Sequence, residues 1–299
     1  MGPNYSTAQP VELGGVPRPR LLLEDVYGLC RSQFRRWFFI TAPTSLLASV
    51  VLLMADQRIR AICKSIPRGE IPYHMGEVAA ETGVLRYGSF FITWFLGCFA
   101  LAAISTVVNR LDEDDGNRVW ISDSYQRARE RFGRLLLAAS CTFGLFLTGM
   151  AVVLFVDLAL LRRVAPAHFS RFNYGAVLIG SLIVASMVSW LGMAIPLLLA
   201  ENIGVWTAVK KSVKLSNGYE GFLFLLVVES LAGSYVAWYA VHYGLSFLFP
   251  VQLRYTAWYG WLVYSLSILA SAAVQPPMFI GFSLLAATEP AVSRFPNPE

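Results

Sequence analysis

Long uncharged runs alternate along the chain with short stretches in which basic and apolar residues recur every three or four positions. Six runs stand out: Trp37 to Met54, Tyr87 to Val108, Leu135 to Leu161, Tyr174 to Ala200, Phe222 to Phe249 and Tyr259 to Ala287. A bilayer core about 30 Å thick is crossed by roughly 20 apolar helical residues. The pattern therefore predicts an all-α integral membrane fold with six transmembrane helices. Proline marks weak points in three runs. Pro43 lies in the first and Pro196 near the end of the fourth, while "QPP" at Gln275 to Pro277 removes two successive backbone donors from the sixth. A kink is expected there.

The stretches between the runs are amphipathic. Wound as a helix, Glu201 to Lys214 gathers Ile203, Trp206, Val209 and Val213 on one side and Thr207, Lys210, Lys211 and Lys214 on the neighbouring arc. Such a helix lies in the membrane interface, with apolar side chains at the acyl boundary and lysines at anionic phosphates. Gly218 in "SNGYEG" is expected to stop it in a left-handed conformation. In "LLLEDVYGLCRSQFRRW", Leu22, Leu23, Val26, Leu29, Phe34 and Trp37 oppose Glu24, Arg31 and Arg35. In "SDSYQRARERFGRLL", Tyr125, Ala128, Phe132 and Leu135 oppose Arg127, Glu130, Arg131 and Arg134, with Asp123 placed to cap and Gln126 to reach back.

The last two stretches align without gaps. Asp25 meets Asp123, Tyr27 meets Tyr125, Arg31 meets Arg129, Phe34 meets Phe132 and Arg36 meets Arg134. The chain thus reads as one six-span domain over 21–288 built from three parallel repeats, about 21–110, 111–200 and 201–288, each an amphipathic helix followed by two spans. Residues 1–20, rich in Pro and Gly, and 289–299 read as disordered tails. Six spans put both ends on one face, and "RSQFRR" just before the first span favours the cytoplasmic face of a plasma (inner) membrane.

Composition narrows the function. Apolar residues make up 56% and charged residues 14%, against about 25% charged in soluble domains. The net charge of +5 sits beside apolar runs, which points to lipid headgroups rather than nucleic acid. Arg31, Arg35, Arg36, Arg127, Arg131, Arg134, Lys210, Lys211 and Lys214 are the candidate headgroup contacts. The four cysteines, Cys30, Cys63, Cys98 and Cys141, form no CxxC pair and read as packing residues.

Intramembrane charge is costly and is examined as functional. At about 1.5 Å per residue, Asp157 and His242 reach the outer interface. Glu229 lies only about 10 Å beyond Phe222, inside the hydrocarbon. It is a candidate ion or proton site, or a group hydrogen-bonded across helices to a serine or tyrosine. His74, Glu77 and Glu81 share a helical face but lack the second half of a metal site, so a solvated outer helix is expected. In "DEDDG", counting back from Gly116 puts Leu111 at the first calcium position, so the EF-hand pattern fails. No phosphate loop, dinucleotide fingerprint, HExxH or nucleophile elbow occurs, and neither an enzyme activity nor a cofactor is expected.

The segment "AIPLLLAENIGVWTAVKKSVKLSNGYEGFLFLL" carries a family resemblance. With Pro196, Glu201, Ala208, Ser212 and Gly218 at the matching positions, it is similar to the membrane domain that accompanies some glycerophosphoryl diester phosphodiesterases, and to that domain's six-span bacterial relatives. The resemblance covers Leu22 to Ala287. It implies a six-span membrane domain and no agreed catalytic residues. Phosphodiesterase chemistry would need an "HRG" and a set of acidic metal ligands. The chain has no "HRG", so that activity is not expected.

The expected role is to organise lipids or partner proteins at the membrane, with anionic headgroups as partners. The alternative is a small-solute transporter or channel with Glu229 on its path. Topology is directly measurable: protease-cleavable tags at the two ends should be cut from the same face of sealed vesicles. Cleavage from opposite faces would exclude an even number of spans.

Overall fold

The computed structural model describes residues 19–65, 71–110, 121–164, 182–183, 185–250 and 257–293. Among these, the regular elements are helices and none is a strand. They are α1 (Pro19–Ser32), α2 (Phe34–Ser65), α3 (Ile71–Val108), α4 (Ile121–Glu130), α5 (Phe132–Val164), α6 (Ala194–Glu201), α7 (Val205–Leu248), α8 (Ala257–Val274) and α9 (Pro276–Ser293). Residues 1–18, the acidic turn Asp112 to Gly116, the tail from residue 294, and the side chains of His74, Glu77 and Asp157 lie outside the described residues.

Among the described residues, five stretches are long and apolar enough to cross a membrane: Phe34–Ser65, Ala80–Val108, Phe132–Gly149, Val205–Leu248 and Trp258–Ala287. Of the run that begins at Tyr174, the described part is mainly Ala185–Glu201, a shorter apolar helix. Several boundaries differ from those expected. α2 continues past Met54 to Ser65, its polar end carrying an Asp56–Arg60 ion pair of 2.6 Å one helical turn apart. α9 runs to Ser293, into the expected tail. Adding residues to a nucleated helix costs little, so polar flanks join it.

α3, α6 and α9 pack on one another at the centre. α2 lies on α3 and α8, and α8 lies on α7. Small side chains allow the close approach: Ala100, Ala102 and Ala103 of α3 are buried beside Ile104, with Leu197 and Leu198 of α6 and Ile280 and Phe282 of α9 in the same core. Gly281 serves the same end, since a Cβ there would stand 2.3 Å from Leu226 Cδ1.

The prolines act at a distance of one turn. The break near Pro196 falls at Gly192 and Met193, four and three residues earlier. The proline ring excludes the carbonyl four residues back, and the turn there has no space for a side chain: a Cβ on Gly192 would lie 2.5 Å from the Phe282 ring. At "QPP" the sixth run divides into α8 and α9, as expected, with Gln275 between them. Pro276 has no N–H, so the Ala272 carbonyl loses its helical donor. Thr41 Oγ1 of α2 supplies one at 2.9 Å, and the site is buried. Trp37 and Phe38 carbonyls lie 3.1 and 3.3 Å from the same hydroxyl. It has one proton to give, and Ala272 is both nearest and in need.

Thr41→Val keeps the shape and removes that proton. A buried carbonyl left without a donor costs about 1–3 kcal/mol, so the variant should show a clearly lowered thermal midpoint in detergent. Thr106→Val, which removes only a bond within its own helix, should move it far less.

Candidate functional site

The functional candidates gather at the end of the bundle where α1, α4 and the first part of α7 lie. α1 breaks at Gln33 and α4 at Arg131 before the span that follows each. These two positions correspond in the gapless alignment. In α7 the helix does not stop at Gly218 as expected: no described glycine has a positive φ, and the only irregular residue inside the helix is Tyr219, at φ −129° and ψ 19°. A kink suffices to redirect the chain while the backbone ladder continues. Asp123 also departs from its expected capping place, sitting in the first turn of α4, which begins at Ile121.

Each amphipathic helix is held by specific contacts. Val26 and Leu22 of α1 are buried against the bundle, and the wholly buried Trp37 donates from Nε1 to the Leu29 carbonyl at 3.0 Å, tying α1 to α2. Tyr125 of α4 stacks on Phe99 and donates to the Ile40 carbonyl of α2. Burial pushes the Tyr125 phenol up to about 12, against a lowering bond from Thr44. It therefore stays a donor at any physiological pH. The first part of α7 buries Ala208, Val209, Ser212 and Ser216, with Ser212 Oγ donating to the Trp190 carbonyl at 2.6 Å. The expected apolar face is thus split: Val209 turns inward, but Trp206 and Val213 are exposed. The helix starts at Val205 rather than Glu201, because Glu201 ends α6 and Asn202 caps it in a left-handed conformation.

The nine basic candidates divide into two groups. Arg131 donates to the Leu199 carbonyl at 2.8 Å and Arg134 to Asn202 Oδ1, so both guanidinium groups meet the negative end of α6. Lys211 is paired with Glu201 at 2.6 Å, and Arg36 donates to Gln33 Oε1 at 3.1 Å. These four hold the protein to itself. Arg31, Arg35, Arg127, Lys210 and Lys214 are exposed. Exposed apolar side chains stand beside them, namely Phe34, Phe132, Trp206 and Val213. Lys210 Nζ lies 5.7 Å from the Trp206 ring centre, in cation–π contact. A polar groove of ≈ 670 Å³ runs between α4 and the ends of α3 and α6, with Arg110, Arg127, Arg131, Asp123 and Glu130 on its walls.

Glu229 accepts a hydrogen bond on Oε2 from Tyr27 of α1, the cross-helix tyrosine contact that its position suggested. Burial first, then that bond, raises the Tyr27 phenol and keeps it protonated. The pair sits on a lateral cavity of ≈ 400 Å³ with Arg31, Phe34, Ala273 and Pro277. A second cavity of ≈ 370 Å³ is walled mainly by apolar side chains, Trp94, Leu101, Phe279 and Phe282 among them, with Thr93, Thr142, Ser234 and Gln275 as polar groups in its lining. Ser230 borders both. His242, near the far end of α7, is exposed and stacks on Trp238 at 5.3 Å. Among the described residues no group of three His, Cys, Asp or Glu could hold a metal.

Sequence reasoning missed three features here: Tyr27 as the partner of Glu229, the two arginines at the end of α6, and the Glu201–Lys211 pair. Glu201 and Lys211 are ten positions apart across a helix break, so no local spacing rule joins them. The gapless alignment of Tyr27 with Tyr125 was a usable signal, since both phenols reach across to a long apolar helix, Tyr27 to α7 and Tyr125 to α2. Compared with protein-family profiles, curated proteins and solved structures, the chain matches none.

Lys211 and Glu201 are both mostly shielded, with side-chain exposures of 26% and 17%. Lys211→Met would leave a poorly solvated carboxylate alone and should cost about 1.5–3 kcal/mol. Lys210→Met and Lys214→Met should stay within about 0.5 kcal/mol. Equal thermal shifts for all three would show that the pair contributes nothing.

Proposed function

We propose that the protein is a non-catalytic membrane scaffold whose inner-surface rim gathers anionic lipid. The single observation that carries this reading is that exposed cations and exposed aromatic side chains occur together on all three amphipathic segments: Arg31, Arg35 and Phe34 at the first, Arg127 and Phe132 at the second, and Lys210, Lys214 and Trp206 at the third. A soluble surface gains nothing from such pairs. An interface does, because rings settle at headgroup level and cations reach phosphate.

The reading includes six spans in three parallel units, with both termini cytoplasmic. Support for the units comes from the packing. α1 lies on α7 and α9, α4 on α2 and α3, and α7 on α5 and α6. Each amphipathic segment thus rests on the unit before it, with the first closing onto the third. The resemblance to a six-span membrane domain without agreed catalytic residues agrees with a binding role.

A specific observation favours a second reading, small-solute transport. The second cavity has Thr93, Thr142, Ser234 and Gln275 in its lining at a helix break, and broken helices mark binding sites in many transporters. If Glu229→Gln and Gln275→Leu leave the flux of every candidate solute unchanged, this reading is removed.

For the scaffold, the protein in nanodiscs of mixed phosphatidylglycerol and phosphatidylcholine should retain phosphatidylglycerol preferentially by native mass spectrometry. Each cation near an anionic surface contributes about 1 kcal/mol. Arg35→Gln/Lys210→Gln/Lys214→Gln should therefore weaken retention by up to about a hundredfold. Unbiased retention by the unaltered protein would sink the proposal.

A further inference from the structure

We infer that the lateral cavity beside α1 is a binding site for a phospholipid with a primary-amine headgroup, its ammonium held by Glu229 and the Ala273 carbonyl and its phosphate by Arg31. The site adjoins the anionic rim and shares Arg31 and Phe34 with it, and it rests on the same reading that this end of the bundle meets lipid headgroups.

The argument starts from donors and acceptors. Pro277 has no N–H, so the Ala273 carbonyl, four residues earlier, lacks its helical donor. Its neighbour Ala272 suffers the same loss through Pro276 and is repaired by Thr41. Among the described residues no such side-chain donor reaches Ala273, and α9 begins with Met278 and Phe279 both turned onto the Gln275 carbonyl, at 3.1 and 3.4 Å. Ala273 lines the lateral cavity. Glu229 lines it too, with Tyr27 donating to Oε2 and Oε1 left for a ligand. The Ser230 hydroxyl borders the same space. This wall is rich in acceptors and set in an apolar surround.

A primary ammonium carries three donors and a positive charge, which is the complement of such a wall. A quaternary ammonium has no N–H to give and would leave the carbonyl unmet. The same cavity is lined by the exposed Arg31, in the last turn of α1 and one turn beyond Tyr27, suited to a phosphate. Phe34, Leu226, Val274 and Pro277 complete the lining, an apolar surface that fits the glycerol and upper acyl region. The charges are opposite in sign and sit on different helices, so the cavity matches a zwitterion rather than an anion. Glu229 would repel phosphatidylglycerol, which the rim prefers.

The test uses the full chain in nanodiscs with native mass spectrometry of retained lipid. Phosphatidylethanolamine and phosphatidylcholine of identical acyl chains are compared, with the mono- and dimethylated ethanolamine lipids between them. The unaltered protein should retain phosphatidylethanolamine at least tenfold over phosphatidylcholine, with retention falling at each methylation. Glu229→Gln should abolish the preference, and Arg31→Gln should weaken all members of the series together. Neither should change the phosphatidylglycerol bias of the rim more than the single lost charge requires. Soluble phosphoethanolamine at the same concentration should not displace the lipid; displacement would assign the site to a free headgroup and overturn the lipid assignment. Equal retention across the methylation series in the unaltered protein, which needs no variant to fold, would overturn the inference while leaving the rim untouched.

Discussion

A backbone carbonyl or N–H inside hydrocarbon must find its partner within the protein, because neither lipid tails nor water can serve it there. α2 runs on through Pro43, but Pro196, Pro276 and Pro277 each leave a gap, and the architecture follows from how those gaps are met. Around Pro196 the helix opens into a turn at Gly192, which packs so tightly on Phe282 that no side chain fits. At Pro276 the gap is met by Thr41 from α2. That bond fixes the register of α2 against α8, and the wholly buried Trp37 one turn earlier then fixes where α1 must lie. One hydroxyl thus links the sixth hydrophobic run to the first amphipathic helix.

The carbonyl at Ala273 is the gap that no side chain among the described residues closes, and it lines the same cavity as two ionisable side chains of opposite sign, Glu229 and Arg31. Structural and functional explanations part company at this point. Glu229 alone would read as a glutamate tethered by a tyrosine, which is a packing device. Glu229 in one cavity with an unmet carbonyl and an exposed arginine has a shape and charge that the fold itself does not require.

The cations of the amphipathic segments show why a count of basic residues is a poor guide to what they bind. Arg131 and Arg134 lie on the same amphipathic segment as Arg127, yet they meet the C-terminus of α6, where the carbonyls and the helix dipole offer a fixed negative end. Lys211 lies between Lys210 and Lys214, yet it alone faces Glu201. Any outside anion would compete for these cations against protein acceptors that are already in place, and the nearer, preorganised acceptor is favoured.

Hydrophobic runs, their spacing and the basic stretches between them determined that this is a helical membrane protein with amphipathic segments set between long apolar ones. The gapless alignment around Tyr27 and Tyr125 made the likeness of two amphipathic stretches legible as well, but that both break at corresponding positions, Gln33 and Arg131, came from the structure. Periodicity can do this because it records which face of a helix meets oil, and each helix carries that record by itself. It cannot record which neighbour a face meets. The pairing of Tyr27 with Glu229, the repair of Ala272 by Thr41, and the division of nine cations into internal and outward-facing sets join residues from ten to more than two hundred positions apart. Those pairings depend on the angle and depth at which whole helices cross, and the packing of α3, α6 and α9 decided both.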